Sequence, residues 1–290
     1  MATYTTERVI QVQHWSDKLF SFRTTRNASL RFENGQFIMI GLAAGGRKIV
    51  RAYSIASANH EDHLEFYSIK IPQGPLTSRL QHVEPGEALL VSSKPTGTLV
   101  LRDLRPGRRL FMLATGTGVA PFLGLIKDPE VYERFEQVIL VRGARAVGDL
   151  AYADSVIARL RADPALAELA GDRLIDYPSI TREPFRHRGR ITSLLESGRL
   201  FEDLSIPPLD PASDRVMICG NMRMLADASR WLEALEFDIS PSIGVPGAYV
   251  IERAFVEEFQ SAPPREEPDE LRSTLNSGAE GTIDSRADFS

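Results

Sequence analysis

Residues 109–122 read RLFMLATGTGVAPF. The apolar run Leu110–Ala114 ends in glycines at 116 and 118, and a helix-compatible segment follows from Val119. A near-continuous apolar run of this length reads as a strand buried on both faces, as in a parallel sheet. Ligands of such sheets bind beyond the carboxyl ends of the strands, where Thr115, Gly116, Thr117 and Gly118 fall. The two glycines would let the backbone approach a pyrophosphate, and the helix from Val119 would point its N–H groups at the same place. The third glycine of a G-x-G-x-x-G fingerprint is absent, because Pro121 occupies that position. The spacing alone also fits a plain tight turn, so the neighbouring segments must decide between the two.

Those neighbours alternate. VAPFLGLIKDPEVY (119–132) reads as one helix, QVILVRGAR as a second buried strand and DLAYADSVIARLRA as an amphipathic helix. RLIDYPSITR, DRVMICG and AYVIERAFV read as further strands, with helices over ITSLLESG and MRMLADASRWLEALEF. Strands alternating with helices predict a parallel sheet covered on both faces. Residues 7–100 differ. ERVIQVQHW, LFSFRTT, QFIMIGL, RAYSIAS, HLEFYSIKI and EALLVSS are short, β-branched or aromatic segments split by turn residues. They predict an antiparallel barrel or sandwich, with LTSRLQHV (76–83) as a short helix. The expected division is a β-barrel domain over 1–104, an α/β domain over 105–257 and a disordered acidic tail over 258–290.

Arginines follow the strand ends of the second half. Arg142 and Arg145 lie in LVRGAR, Arg182 in ITREPF, and Arg190 comes eight residues later. An adenosine 2′-phosphate needs such cations, and no acid occupies 142–146, where an NAD-selective site would more often place one. This favours NADP, although any single arginine here also reads as an ordinary surface residue. Cys219 ends the strand VMICG, and Gly220 and Asn221 follow it at the same sheet edge.

Composition is ordinary for a globular protein, with 43% hydrophobic and 25% charged residues. The net charge of −5 resides in residues 258–290, which hold eight acids and three arginines; residues 1–257 balance. The slight positive excess of residues 1–100 does not suggest nucleic acid, and no apolar run is long enough for a membrane helix. The N-terminus lacks a signal-peptide pattern, so a cytoplasmic protein is expected. One cysteine excludes a disulfide framework and a four-cysteine iron–sulfur cluster within this chain. His60 and His63 have no third ligand near in sequence, so no metal site is expected. There is no G-x-S-x-G elbow for a hydrolase.

Taken in order, R-x-Y-S at 51–54, GPLTS at 74–78, TGTGVAP at 115–121 and CGN at 219–221 resemble the ferredoxin–NADP reductase family, in its short bacterial branch. The resemblance spans roughly residues 4–257. It implies FAD and NADP(H) as cofactors, and ferredoxin or flavodoxin as partner. It implies that Arg51 pairs with the FAD pyrophosphate, that Tyr53 lies against the isoalloxazine, that Ser54 bonds near flavin N5, and that Ala52 belongs to the same cofactor site. Strand alternation would put Ser54 on the face opposite Arg51 and Tyr53, so the strand must bend to complete the site. Tyr67 would add a second aromatic contact, and Gly74, Pro75, Leu76 and Thr77 would offer backbone or hydroxyl groups to the cofactor. NADPH would lie over the TGTG loop with its 2′-phosphate among Arg145, Arg182 and Arg190. Its nicotinamide would reach the flavin near Cys219, and hydride would pass from C4 to N5. Glu252 would donate a proton or position the nicotinamide, and Ala254 and Phe255 would cover the flavin. In this family the chain ends soon after such residues, whereas here 33 residues follow Glu257. A monomer is expected. Two alternatives stand beside this reading: an NADPH-dependent flavin reductase serving an oxygenase or a free acceptor, and a redox sensor that binds both cofactors without turnover.

Overall fold

The computed structural model describes residues 3–44 and 46–252. The first half contains β1 (Tyr4–His14), β2 (Leu19–Thr25), β3 (Phe37–Ala44), β4 (Arg47–Ser54), β5 (His63–Ile69), α1 (Thr77–Leu80) and β6 (Ala88–Ser92). These strands form one antiparallel sheet in the order β4-β3-β6-β1-β2-β5. Its two edges approach each other where the Ala56 N–H donates to the Glu65 carbonyl at 2.8 Å, which curls the sheet toward a barrel. The inward residues Phe20, Phe22, Ile38, Ile40, Phe66 and Val91 fill it. The strand expected at RAYSIAS starts earlier, at Arg47, and ends at Ser54.

The second half contains β7 (Arg109–Thr115), α2 (Ala120–Leu125), α3 (Pro129–Arg134), β8 (Gln137–Ala144), α4 (Ala151–Ala162), α5 (Pro164–Ala170), β9 (Leu174–Ile180), α6 (Ile191–Glu196), α7 (Arg199–Leu204), β10 (Asp214–Cys219), α8 (Met222–Ala234) and β11 (Tyr249–Ile251). Its strands form a parallel sheet in the order β11-β10-β7-β8-β9. Strand alternation divides the core. Leu110, Met112, Val138 and Leu140 face Phe122, Leu123, Val156 and Leu160 of α2 and α4. Phe111, Leu113, Ile139 and Val141 face Leu194, Leu195, Leu225 and Leu232 of α6 and α8. That two-sided burial is why these strands read as continuous apolar runs.

The single helix expected over 119–132 is two helices. Asp128 adopts φ −87, ψ 120 and its side chain accepts from the Glu130 N–H. The residue before a proline is disfavoured in the α region, so the first helix, which stops at Leu125, cannot run on through Asp128, and Asp128 caps the next at Pro129. The same device, Asp163 before Pro164, starts α5, which the sequence reading passed over.

Four contacts seat the halves on each other. The rings of Tyr67 (β5) and Tyr152 (α4) stack at 4.2 Å. Lys127 Nζ meets Glu61 Oε2 at 2.7 Å, and Asn34 Nδ2 donates to Asp128 Oδ2 at 2.7 Å. Glu65 is shared: Arg23 reaches it at 3.0 Å from β2 and Arg159 at 3.9 Å from α4. A polar cavity of about 110 Å³, lined by Gln11, Gln13, Trp15, Arg23, Glu65 and Arg159, runs along this seam. Burial works against the Glu65 charge, but His63, Arg23, Lys127 and Arg159 outweigh it and hold its pKa at about 2, below the ordinary 4.5. A depressed carboxylate contributes stability above the unfolded pKa and loses it as pH falls through the folded one. The difference corresponds to about 3 kcal/mol, an order of magnitude for a coupled cluster. Urea unfolding of the wild type should therefore weaken as pH drops from about 4.5 toward 2, and Glu65→Gln should flatten that dependence while lowering stability at pH 7.

Candidate active site

The C-terminal edge of the parallel sheet is built around two close backbone approaches. A Cβ on Gly118 would lie 2.5 Å from the Cys219 carbonyl oxygen and 2.8 Å from the Gly220 Cα. A Cβ on Gly220 would lie 2.1 Å from Thr115 Oγ1. Thr115 Oγ1 in turn accepts from the Asn221 N–H at 3.1 Å and from Asn221 Nδ2 at 3.2 Å, and Asn221 Oδ1 caps α8 through the Met224 N–H at 3.0 Å. The TGTG and CGN segments thus brace one another. The bare face of Gly118 is filled by the protein's own backbone, so the brace between the two loops itself requires glycine there. Gly116 has φ +56 and open space where a Cβ would be. Beside it, Gly143, Ala144 and Asp149 line a small cleft.

Cys219 closes β10 and is 1% exposed. Burial and the charge of Glu252 push its thiol well above the ordinary value, so it stays protonated. Glu252 follows β11, is 1% exposed, and donates its N–H to the Ile218 carbonyl at 3.1 Å. Its Oε2 lies 3.3 Å from where Gly97 would carry a Cβ, and the Phe37 ring lies 3.2 Å from the same point. Phe37 exchanges main-chain hydrogen bonds with Thr96 at 2.8 and 3.0 Å and pairs with Ser54 across β3 and β4. Ser54, Phe37, Gly97, Glu252, Cys219 and Gly118 therefore form one contiguous path from the antiparallel half to the parallel one. Ser54 is 8% exposed, and among the described residues its hydroxyl has no hydrogen-bond partner.

The arginine–tyrosine strand divides by environment. Arg51 is exposed, and among the described residues its guanidinium bonds only to the neighbouring Val50 carbonyl, at 2.8 Å. Ala52 and Tyr53 are buried, with the Tyr53 hydroxyl 3.3 Å from Ser68 Oγ and its ring edge-on to Phe22 and Phe66. Burial raises the Tyr53 pKa, so its hydroxyl stays neutral. Tyr67 does not join it. Strand alternation turns Tyr67 into the α/β core against Tyr152, while Tyr53 belongs to the barrel core. Tyr67 is thus also a residue of the seam between the two halves. Thr77 donates its hydroxyl to the Ile71 carbonyl at 3.2 Å, and the N–H groups of Ser78 and Arg79 bond to the Gly74 and Leu76 carbonyls, which leaves main-chain groups as the outward chemistry of 74–77. Ala254 and Phe255 lie outside the described residues.

Among the arginines, Arg142 departs from expectation. It sits within β8, 3% exposed, and clamps Asp176 at 2.7 and 2.6 Å and Asp154 at 2.7 Å. It is an ion-pair residue of the sheet that also lines the small cleft beside Gly116. Arg145, Arg182 and Arg190 are exposed. The first two are brought together by the Arg182 N–H donating to the Arg145 carbonyl at 3.1 Å, and Arg190 opens α6 after the loop returns to β9 through the Gly189 N–H to Ile180 bond at 3.1 Å. His63, weighed as a ligand, lies 3.1 Å from Asp62, and among the described residues no three metal-ligating side chains gather. Phe37 and Gly97 escaped the sequence reading; the only signal was a glycine between two threonines at 96–98, where Gly97 takes φ +141.

Comparison with known proteins follows the same division. Residues 8–100 match the oxidoreductase FAD-binding domain family and residues 112–230 the oxidoreductase NAD-binding domain family. Ferredoxin–NADP reductase of Azotobacter vinelandii is 57% identical over 257 residues, which cover 89% of this chain and 100% of that protein. That of Pseudomonas aeruginosa is 58% identical over 257 residues, with the same 89% and 100% coverage. A crystal structure of a ferredoxin NADP+ reductase from Neisseria gonorrhoeae with bound FAD and NADP superposes with a TM-score of 0.78 at 30% identity, covering 87% of this chain and 99% of that one.

The brace predicts unequal glycine effects. Gly118→Ala forces backbone against backbone and should cost about 1–3 kcal/mol of stability. Gly116→Ala meets no atoms and should cost only the left-handed conformation, about 1 kcal/mol. Thermal unfolding of the two variants in parallel measures the difference.

Proposed function

The chain belongs to the ferredoxin–NADP reductase family, and on that premise we propose how its own residues divide the work. The protein is an oxidoreductase that binds FAD and NADP(H) and carries electrons between NADPH and ferredoxin or flavodoxin. The residues fit the flavin: among the described residues a serine hydroxyl without a hydrogen-bond partner, an exposed arginine bonded only to its own strand, and a neutral tyrosine between them. Bound FAD supplies the exchange between two-electron nicotinamide chemistry and one-electron carrier chemistry.

Arg51 takes the pyrophosphate, a charge-assisted contact. Ala52 and Tyr53 would wall the flavin ring, and Ser54 would donate a hydrogen bond to its edge. Main-chain groups of Gly74, Pro75, Leu76 and Thr77 hold the rest of the dinucleotide. On the other side, Thr115, Gly116, Thr117 and Gly118 support the NADP(H) pyrophosphate, braced by Gly220 and Asn221. Arg145, Arg182 and Arg190 receive the 2′-phosphate. Cys219, a protonated thiol, is a small wall beside the nicotinamide. Glu252 positions the nicotinamide or holds a proton at Oε2. The observation that carries this reading is the contiguous path from Ser54 through Phe37, Gly97 and Glu252 to Cys219, which joins the motifs of both halves. Near-attack placement of two bound groups is the main contribution such a path makes. The proposed division runs 1–104 for FAD and 105–257 for NADP(H). The protein is proposed to act as a cytoplasmic monomer; among the described residues no helix is long and apolar enough to cross a membrane.

Anaerobic addition of NADPH to the purified protein should bleach its flavin bands much faster than NADH does. A protein that binds no FAD would overturn the reading. Ser54→Ala should slow that reduction roughly tenfold, the loss of one hydrogen bond to a developing charge. Arg182→Ala should raise KM for NADPH and leave KM for NADH alone. Arg142→Leu should do the reverse, lowering stability by about 3–5 kcal/mol through the stranded Asp176 and leaving the NADPH/NADH ratio unchanged.

A further inference from the structure

The arginine loop carries more positive charge than a 2′-phosphate needs. Arg145 and the segment 181–190 present five exposed arginines, Arg145, Arg182, Arg186, Arg188 and Arg190, against one acid, Glu183. Glu183 is already engaged by the Val147 N–H at 2.7 Å. The loop is a built surface: Thr181 and Arg182 bond to the carbonyls of Ala144 and Arg145, and Ile180 is bridged to Arg188. No ion pair among the described residues engages any of the five guanidinium groups; Arg186 only overlies its neighbour Phe185. A phosphate monoester carries at most about two negative charges, so a surplus of cations remains.

The same chain holds the complementary charge. Residues 258–290 contain eight acids and three arginines, and EEPDE at 266–270 places four acids in five positions. We propose that this acidic segment docks on the arginine loop and competes there with the 2′-phosphate of NADPH. The reach is sufficient. Glu252 leaves β11, and the loop leaves β9, four strands away in the sheet. At about 4.8 Å per strand that is about 19 Å. Glu266 lies fourteen residues beyond Glu252, a chain that spans up to about 48 Å. Tethering converts weak exposed ion pairs into an intramolecular competition, in which a high effective concentration substitutes for affinity. The inference rests on the nucleotide reading of Arg145, Arg182 and Arg190.

The test uses the full-length holoprotein and a full-length variant carrying Glu266→Gln, Glu267→Gln, Asp269→Asn and Glu270→Gln. At about 0.01 M ionic strength, where screening extends about 30 Å, the variant should show a KM for NADPH roughly five- to tenfold below wild type. The two should converge at high salt, and KM for NADH should be the same in both. A peptide of residues 258–290 should bind a chain ending at Glu257, which spans the length of whole relatives, and 2′,5′-ADP should displace it. Arg186→Ala with Arg188→Ala should weaken the peptide. Equal KM values for NADPH at low salt, or a peptide that 2′,5′-ADP does not displace, overturn the proposal. Failure of the underlying reading looks different: NADPH and NADH would then be used alike by every variant, and competition for a 2′-phosphate site falls with it.

Discussion

Two α-carbons without side chains hold the site together. Gly118 lies against the Cys219–Gly220 backbone, and Gly220 lies against Thr115 Oγ1, so the loops after β7 and β10 are one unit. Neither loop is long enough to wander, and Asn221 ties the pair to the start of α8. A methyl at Gly118 would overlap backbone, which side-chain repacking cannot relieve, and one at Gly220 would displace the Thr115 hydroxyl and the Met224 side chain. The position of Cys219, and through Ile218 the position of Glu252, is inherited from that contact. A site that must hold two large cofactors edge to edge gains from being fixed on strand ends and not on free loops.

The second constraint is the seam. The stacked pair Tyr67–Tyr152 supplies apolar area, and Glu65 supplies a charge that both halves help to hold. His63 and Arg23 of its own half, with Lys127 and Arg159 from the other, together keep the carboxylate below its ordinary pKa. Burying such a charge is expensive unless the partners are present, which makes the cluster a register mark more than a source of net stability. Orientation matters here because Ser54 and Cys219 belong to different halves, and their separation is set by how the halves sit.

Much of this was legible in the residues. The α/β half announced itself because its strands are buried on both faces, and the change from period-two segments to alternating helices marked the passage between halves. The R-x-Y-S, TGTG and CGN segments were found because each needs a particular residue at a particular backbone position. Other features were not legible, for identifiable reasons. Tyr67 and Tyr53 look alike in sequence, and only the face of β5 that packs on α4 separates them. Arg142 and Arg145 differ by three residues, yet one is inside a strand between two aspartates and the other beyond its end. Asp-Pro at 128–129 was read through because the apolar pattern continues across it. Gly97 and Phe37 come from segments with no motif, and their place beside Glu252 is a product of tertiary approach alone.

The sealing of Arg142 has a wider meaning. The cation that the sheet cannot lose is paired within it to Asp176 and Asp154, while the cations proposed to meet the nucleotide are exposed on loops beyond the strand ends. Coenzyme preference and folding are thereby written in separate places. A lineage could drift from one nicotinamide coenzyme toward the other by exchanging residues at 145, 182 and 190, with the scaffold indifferent to the outcome.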